Sequence, residues 1–143
     1  MDDYRKILVL LDLSERSAQV ATAGRRMAEL SNASVVALHV VEYVPVEPLG
    51  ESLMPSLQIK EELIKRSREK LEDLVRRVGL ERTVCRVEAG ATKAEILRVA
   101  EQERADLIVL GSRERHGLAI LVNFTEDTVL HAAHCDLLAV RLK

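Results

Sequence analysis

Short uninterrupted apolar runs alternate along the chain with longer stretches in which apolar residues recur every three or four positions. The first run, KILVLLDL from Lys6 to Leu13, is continuous rather than alternating, the pattern of a strand buried on both faces. Ser14 is placed to cap a helix in which Val20, Ala21, Gly24, Met27, Ala28 and Ser31 fall at helical spacing, and the SNA stretch from Ser31 to Ala33 closes it. SVVALHVV, Ser34 to Val41, is rich in β-branched residues and predicts a second buried strand. EYVPVEPLGESLMPS then carries Pro45, Pro48, Gly50 and Pro55, which interrupt both periodicities and predict a loop over residues 42–57. Loops longer than about 12 residues in compact domains usually carry function or move, so a lid and a plain surface connection both stay open here.

Ile59, Leu63, Ile64, Leu71, Leu74, Val75 and Val78 mark the apolar stripe of a long helix, and Gly79 suits its C-terminal cap. The opposite face, in KEELIKRSREKLEDLVRR, interleaves acids and bases, which suits solvated i,i+4 pairs better than a binding patch. TVCRVEAG predicts a third strand, and Thr92 with Glu95 forms a capping box that opens the helix KAEILRVAEQER. DLIVLG is the fourth strand. Beyond it, Asn123 or Thr125 caps a last short helix with Glu126 and Asp127 in its first turn, and DLLAVRL, Asp136 to Leu142, is the fifth strand.

Strands too apolar to have a wet face, in strict alternation with helices, imply right-handed βαβ units. The expected fold is a doubly wound α/β three-layer sandwich with five parallel strands and four helices. In such sheets ligands bind beyond the carboxyl ends of the strands, where the strand order reverses. The candidate positions are therefore Asp12 and Ser14 after strand one, Val41 to Tyr43 after strand two, and Gly111 to Phe124 after strand four.

Composition narrows the partners. With 143 residues the chain suits one domain, spanning 1–143. Its 21 basic and 23 acidic residues leave a net charge of −2, so no polyanion-binding surface is implied and nucleic acid is not expected as a partner. The apolar runs fall short of the roughly 20 residues that span a bilayer, and MDDYRK lacks the order of a signal peptide, so no membrane association and a cytoplasmic location are expected. Cys85 and Cys135 sit in hydrophobic stretches and are expected as buried free thiols. His131 and His134 lack the further ligands a metal site needs, and no metal is assigned.

KILVLLDLSERS, ASVVALHVV, DLIVLGSRERHGL and VLHAAHCDLLAV, in this order and spacing, resemble the universal stress protein family of the UspA type from end to end. The resemblance implies an adenine nucleotide alpha hydrolase-like fold with strand order 3-2-1-4-5. It further implies a role in stress resistance and a homodimer in which the C-terminal strands of two protomers meet. In nucleotide-binding members a Gly-x2-Gly-x8/9-Gly-Ser/Thr loop wraps the phosphates. By that resemblance Asp12 matches the acid facing the base or ribose, Val41 the residue whose backbone meets adenine, and Gly111 the first loop glycine. The second glycine falls at Glu114, and the final Gly-Ser pair falls at Asn123-Phe124.

Those replacements have physical consequences. Glycine supplies positive φ and lets backbone N–H groups approach phosphate oxygens. Glu114 removes that freedom and adds a like charge. At about 4 Å and an effective dielectric near 20, each such pair costs on the order of 4 kcal/mol, equivalent to about three decades of affinity before solvation reduces it. Asn123 still tolerates a left-handed backbone. Phe124 substitutes an apolar ring for a hydroxyl donor. Arg113, Arg115 and His116 stay as phosphate partners or as solvated charges balancing Glu114, and Thr125 as a neighbouring hydroxyl.

Two functions follow. The first is a non-enzymatic dimeric stress-response protein that acts through as yet unidentified protein partners, its ATP loop impaired. The second keeps an adenine nucleotide as a regulatory signal, with AMP or ADP preferred to ATP. A hydrolase or phosphotransferase has least support, since the chain lacks a Walker lysine pattern and a recognisable catalytic carboxylate pair.

Overall fold

The structure is a computed structural model that describes residues 3–42, 53–112 and 132–143, with the side chains of 53–57 excepted. Its elements run β1 (Lys6–Leu10), α1 (Ser17–Ser31), β2 (Ser34–Glu42), α2 (Leu53–Arg77), β3 (Val84–Gly90), α3 (Thr92–Gln102), β4 (Leu107–Ser112) and β5 (Asp136–Arg141). All strand pairs are parallel, and the sheet order is β3-β2-β1-β4-β5, as the family resemblance implies. Three helices lie among the described residues. The fourth, expected from Asn123 or Thr125 onward, falls outside them, as does most of the expected loop after β2.

The period-two geometry of the strands divides the core into two layers. Ile7, Val9, Val35, Ala37, Leu107 and Val109 point to one face, where Val20, Ala21 and Ala28 of α1 and Leu71, Leu74 and Val75 of α2 cover them. Leu8, Val36, Leu38 and Ile108 point to the other and meet Ile96, Val99 and Ala100 of α3. Burial on both faces explains the continuous apolar runs. Gly24 lets α1 sit close to β1, because a Cβ there would lie 2.5 Å from Val9 Cγ2.

Each helix ends in the same way. Asn32, Gly79 and Arg104 take positive φ, and the following N–H groups bond back five residues, Ala33 to Ala28, Leu80 to Val75 and Ala105 to Ala100, at 3.0, 2.7 and 3.0 Å. These are left-handed terminations that satisfy carbonyls at the helix ends. The expected ends at SNA and Gly79 are therefore observed.

Helix starts depart from expectation. α1 begins at Ser17 rather than after Ser14, and its first residue is not capped by a side chain of the preceding Arg16. The Thr92–Glu95 capping box does not form, because Thr92 is already helical and Ala91 precedes the helix without a side-chain cap. The Glu95 carboxylate instead accepts from Arg98 Nε at 2.5 Å. α2 starts at Leu53, inside the expected loop, with Pro55 in its first turn. Proline is accommodated there because the first N–H groups of a helix have no intrahelical partner.

The expectation of uniformly dry strands also needs correction at β5, where Ala139 is exposed and no residue is fully buried, and at β3. This edge strand is only half-buried over much of its length, and Val84 is exposed. Its α3-side face carries Arg86 and Glu88 instead of apolar residues. Arg86 pairs with Glu88, with Glu103 at 3.0 Å and with Gln102 at 3.0 Å, while Arg98 reaches Glu88 at 3.3 Å. Burial alone would raise the Glu88 carboxyl, but hydrogen bonds and charge from Arg86, then from Arg98, outweigh it and hold the group below its usual range.

Candidate functional site

β1 leaves the sheet through Leu11 and Asp12, then Leu13 adopts φ +62, uncommon for a bulky residue. The left-handed turn folds the chain so that Asp12 Oδ1 accepts the Ser14 N–H at 2.9 Å and the Ser17 hydroxyl at 2.7 Å. Ser17 is the one buried polar residue among those described, at 2% exposure, so this bond also satisfies a hydroxyl that burial would otherwise strand. Asp12 places negative charge at the start of α1, where the helix dipole favours it. The expected cap by Ser14 is not formed, and the turn before α1 is held by Asp12 instead. Ser14 Oγ only accepts the Arg16 N–H, at 3.3 Å.

The second wall of the crevice is the end of β2. A strand residue directs its N–H and C=O to the same neighbour, and successive residues alternate. Leu38 C=O accepts the Leu11 N–H at 2.9 Å and so faces β1. By the same alternation Val40 and Glu42 face the β1 side, where the ladder ends at Leu10↔Leu38. Val41 turns its polar backbone toward β3, in the register Val41↔Ala89. The backbone presented to the crevice thus belongs to Val40 and Glu42 rather than to Val41. His39 is a further residue of this wall, with Nδ1 2.7 Å from Leu11 C=O.

Gly111 closes the third side. It is paired within the sheet, Gly111↔Val140, and a Cβ on it would lie 3.0 Å from Leu142 Cδ1 and 3.1 Å from Val20 Cγ2. In this fold the glycine admits α1 and the C-terminal segment to the end of β4. The segment is pinned there by Leu142 N–H to Ser112 C=O at 3.2 Å. The Gln19 side chain donates to Lys143 C=O at 3.2 Å and accepts from Lys143 N–H at 3.1 Å.

The structure thus brings Asp12, the end of β2 and Gly111 to one end of the sheet, flanking β1. Arg113, Arg115, Asn123 and Thr125, together with Glu114, His116 and Phe124, lie outside the described residues. Sequence reasoning missed Ser17 and His39. Ser17 is five residues after an acid at a strand end, and His39 is a polar ring near the end of an otherwise apolar strand, which were the available signals. Cys85 and Cys135 are free thiols, as expected, but half-buried rather than buried. Burial and the neighbouring acids, Glu72 for Cys85 and Asp136 for Cys135, raise both thiols. No cluster of three or more His, Cys, Asp or Glu that could hold a metal occurs among the described residues. His134 is exposed, and His131 lies outside the described residues. No described helix is long and apolar enough to cross a membrane.

Five parallel strands in the order 3-2-1-4-5, with helices on both faces, define a doubly wound α/β protein. The chain belongs to the universal stress protein family, whose profile matches residues 3–141. It is 33% identical over 141 residues to universal stress protein A homolog 1 of Coxiella burnetii, covering 98% of both chains. Among solved structures, UspA from Lactobacillus plantarum aligns with a TM-score of 0.76 at 24% identity over 99% of this chain and 100% of that one. A universal stress protein in complex with cAMP aligns with a TM-score of 0.74 at 20% identity, over 99% and 100% of the two chains.

Proposed function

We propose that this universal stress protein is a non-enzymatic, dimeric, cytoplasmic stress-response protein that acts through protein contacts and does not hold ATP productively. The observation that carries this reading is the loop after β4. By the family resemblance, Glu114, Asn123 and Phe124 match the positions at which nucleotide-binding members have Gly, Gly and Ser or Thr. A carboxylate at the second glycine position opposes phosphate, and Phe124 has no donor to offer it. The surroundings support the reading, since Asp12 Oδ1 is committed to Ser14 and Ser17, and Gly111 is occupied by packing.

The dimer part of the proposal rests on β5. Among the described residues it pairs with β4 alone, which leaves its other edge open to a second copy. Leu137, Leu138 and Val140 along it are half-buried.

A second reading keeps an adenine nucleotide as a regulatory ligand, and one observation favours it. Val40 and Glu42 present backbone donors and acceptors into the gap beyond β1, next to Asp12. Gly111, Arg113, Arg115, Asn123 and Thr125 would then flank the phosphates, and Glu114 would select for few of them. The structural relative in complex with cAMP carries a single phosphate in its ligand, which suits that preference.

Denaturing extraction of the purified protein followed by mass spectrometry separates the readings. The proposal expects no stoichiometric ATP. Recovery of about one ATP per chain contradicts it, and recovery of AMP or cAMP selects the second reading.

A further inference from the structure

The β1–β2 ladder stops one step before the chain geometry requires it to. After Leu11 N–H bonds to Leu38 C=O, the next bond of a parallel ladder would join Val40 N–H to Leu11 C=O. Val40 lies on β2 and Leu11 is the first residue past β1, yet no bond joins Val40 N–H to Leu11 C=O. Leu11 C=O is instead taken by the imidazole of His39, with Nδ1 at 2.7 Å. A carbonyl oxygen only accepts, so Nδ1 carries the proton in this arrangement.

We infer that His39 is a positioning residue that ends the ladder by capturing the Leu11 carbonyl, and thereby keeps the Val40 backbone available to a ligand in the crevice. The ligand chemistry this exposes is a planar edge with adjacent acceptor and donor, since one residue offers its N–H and C=O side by side. This inference rests on reading the carboxyl end of the sheet as the ligand end.

Three features make the capture effective. His39 immediately precedes Val40 on the strand that contributes the exposed backbone, and the bond to Leu11 C=O holds its ring there. Leu13, two residues beyond the captured carbonyl, turns the chain away at φ +62, which prevents β1 from continuing alongside Val40. In the register set by Leu10↔Leu38, the residue left opposite Val40 is Asp12. The interruption therefore places the carboxylate-bearing turn and the open backbone across the same gap.

The test uses the full chain without ligand. Native-state hydrogen exchange followed by NMR compares the Val40 amide with that of Leu38, which lies within the ladder, in the wild type and in two variants. In the wild type the Val40 amide is expected to exchange much faster than Leu38. In His39→Val the freed Leu11 carbonyl should recruit Val40 N–H, slowing its exchange by at least about tenfold. In His39→Asn, whose Nδ2 occupies nearly the position of Nδ1, exchange should stay fast. Ring nitrogen chemical shifts of His39 should report the Nδ1–H tautomer.

A Val40 amide as protected as Leu38 in the wild type overturns the inference, as does an Nε2–H tautomer. If His39→Val does not fold, the wild-type exchange pattern, the tautomer and the Asn variant still decide the matter. None of these readouts needs a nucleotide, so they stand apart from a failure of the crevice reading itself, which nucleotide titration would reveal.

Discussion

Gly24→Ala should destabilise this protein although alanine is the better helix former. An ideal Cβ on Gly24 would lie 2.5 Å from Val9 Cγ2 and 3.4 Å from Val9 Cγ1. Val9 is fully buried, and its strand is paired to β2 on one side and β4 on the other. A β-branched side chain also has few rotamers to escape into, so neither partner yields cheaply. Overpacking costs about 1–3 kcal/mol, and a contact of 2.5 Å against a buried side chain falls in the upper part, about 2–3 kcal/mol, while alanine for glycine inside a helix returns about 1 kcal/mol. The expected net loss is roughly 1–2 kcal/mol, a drop of about 3–6 °C in Tm for a chain of this size.

Urea unfolding of four proteins tests the cause as well as the cost: wild type, Gly24→Ala, Val9→Ala and the double variant. Val9→Ala alone should cost about 2–3 kcal/mol through lost burial and the cavity it leaves. In that background the clashing methyls are gone, so Gly24→Ala should become stabilising by about 1 kcal/mol. The sign of the effect reverses between backgrounds. A neutral or stabilising Gly24→Ala in the wild type, or an equal cost in both backgrounds, would refute the close seating of α1 on β1. That seating also fixes Ser17 against Asp12.

Ser17→Ala should cost about 1.5 kcal/mol by thermal unfolding, at the low end for a bond to a charged group because Asp12 is exposed and keeps its bond to Ser14. The lowered Glu88 pKa stabilises the fold above the ordinary glutamate value of about 4.3, and that contribution is lost as pH falls through the lower folded value. The stability gap between wild type and Glu88→Gln in urea should therefore be present at pH 6 and shrink below about pH 4. Light scattering at micromolar concentration should give twice the monomer mass, and a monomer would remove the proposed role of β5.

Much of the fold was legible because a parallel sheet covered on both faces produces continuous apolar runs, and β1, β2 and β4 show it. β3 was misjudged because an edge strand can line one face with ion pairs, and the partners of Arg86 and Glu88 are in α3, remote in sequence. The helix ends at Asn32 and Gly79 could be read from residues that tolerate positive φ. The starts could not, since several local partners compete there: Asp12 takes the Ser14 N–H two residues away, and Arg98 takes the Glu95 carboxylate one helical turn on, and the capping patterns do not rank these alternatives. Pro55 reads as a breaker unless it is known to stand in a first turn. The positions of Asp12 and Gly111 at strand ends were legible from the apolar runs that precede them. His39 and the exposure of Val40 rather than Val41 depend on which way each backbone group turns, which the alternation of a ladder decides and composition does not.

Calorimetric titration of the wild type with ATP and Mg²⁺, beside the variant carrying Glu114→Gly, Asn123→Gly and Phe124→Ser, tests the central claim most directly. The account predicts no tight ATP binding to the wild type, and a gain of one decade or more in the variant, a fraction of the roughly three decades that an unscreened like-charge contact would cost. Tight ATP binding by the wild type would contradict it.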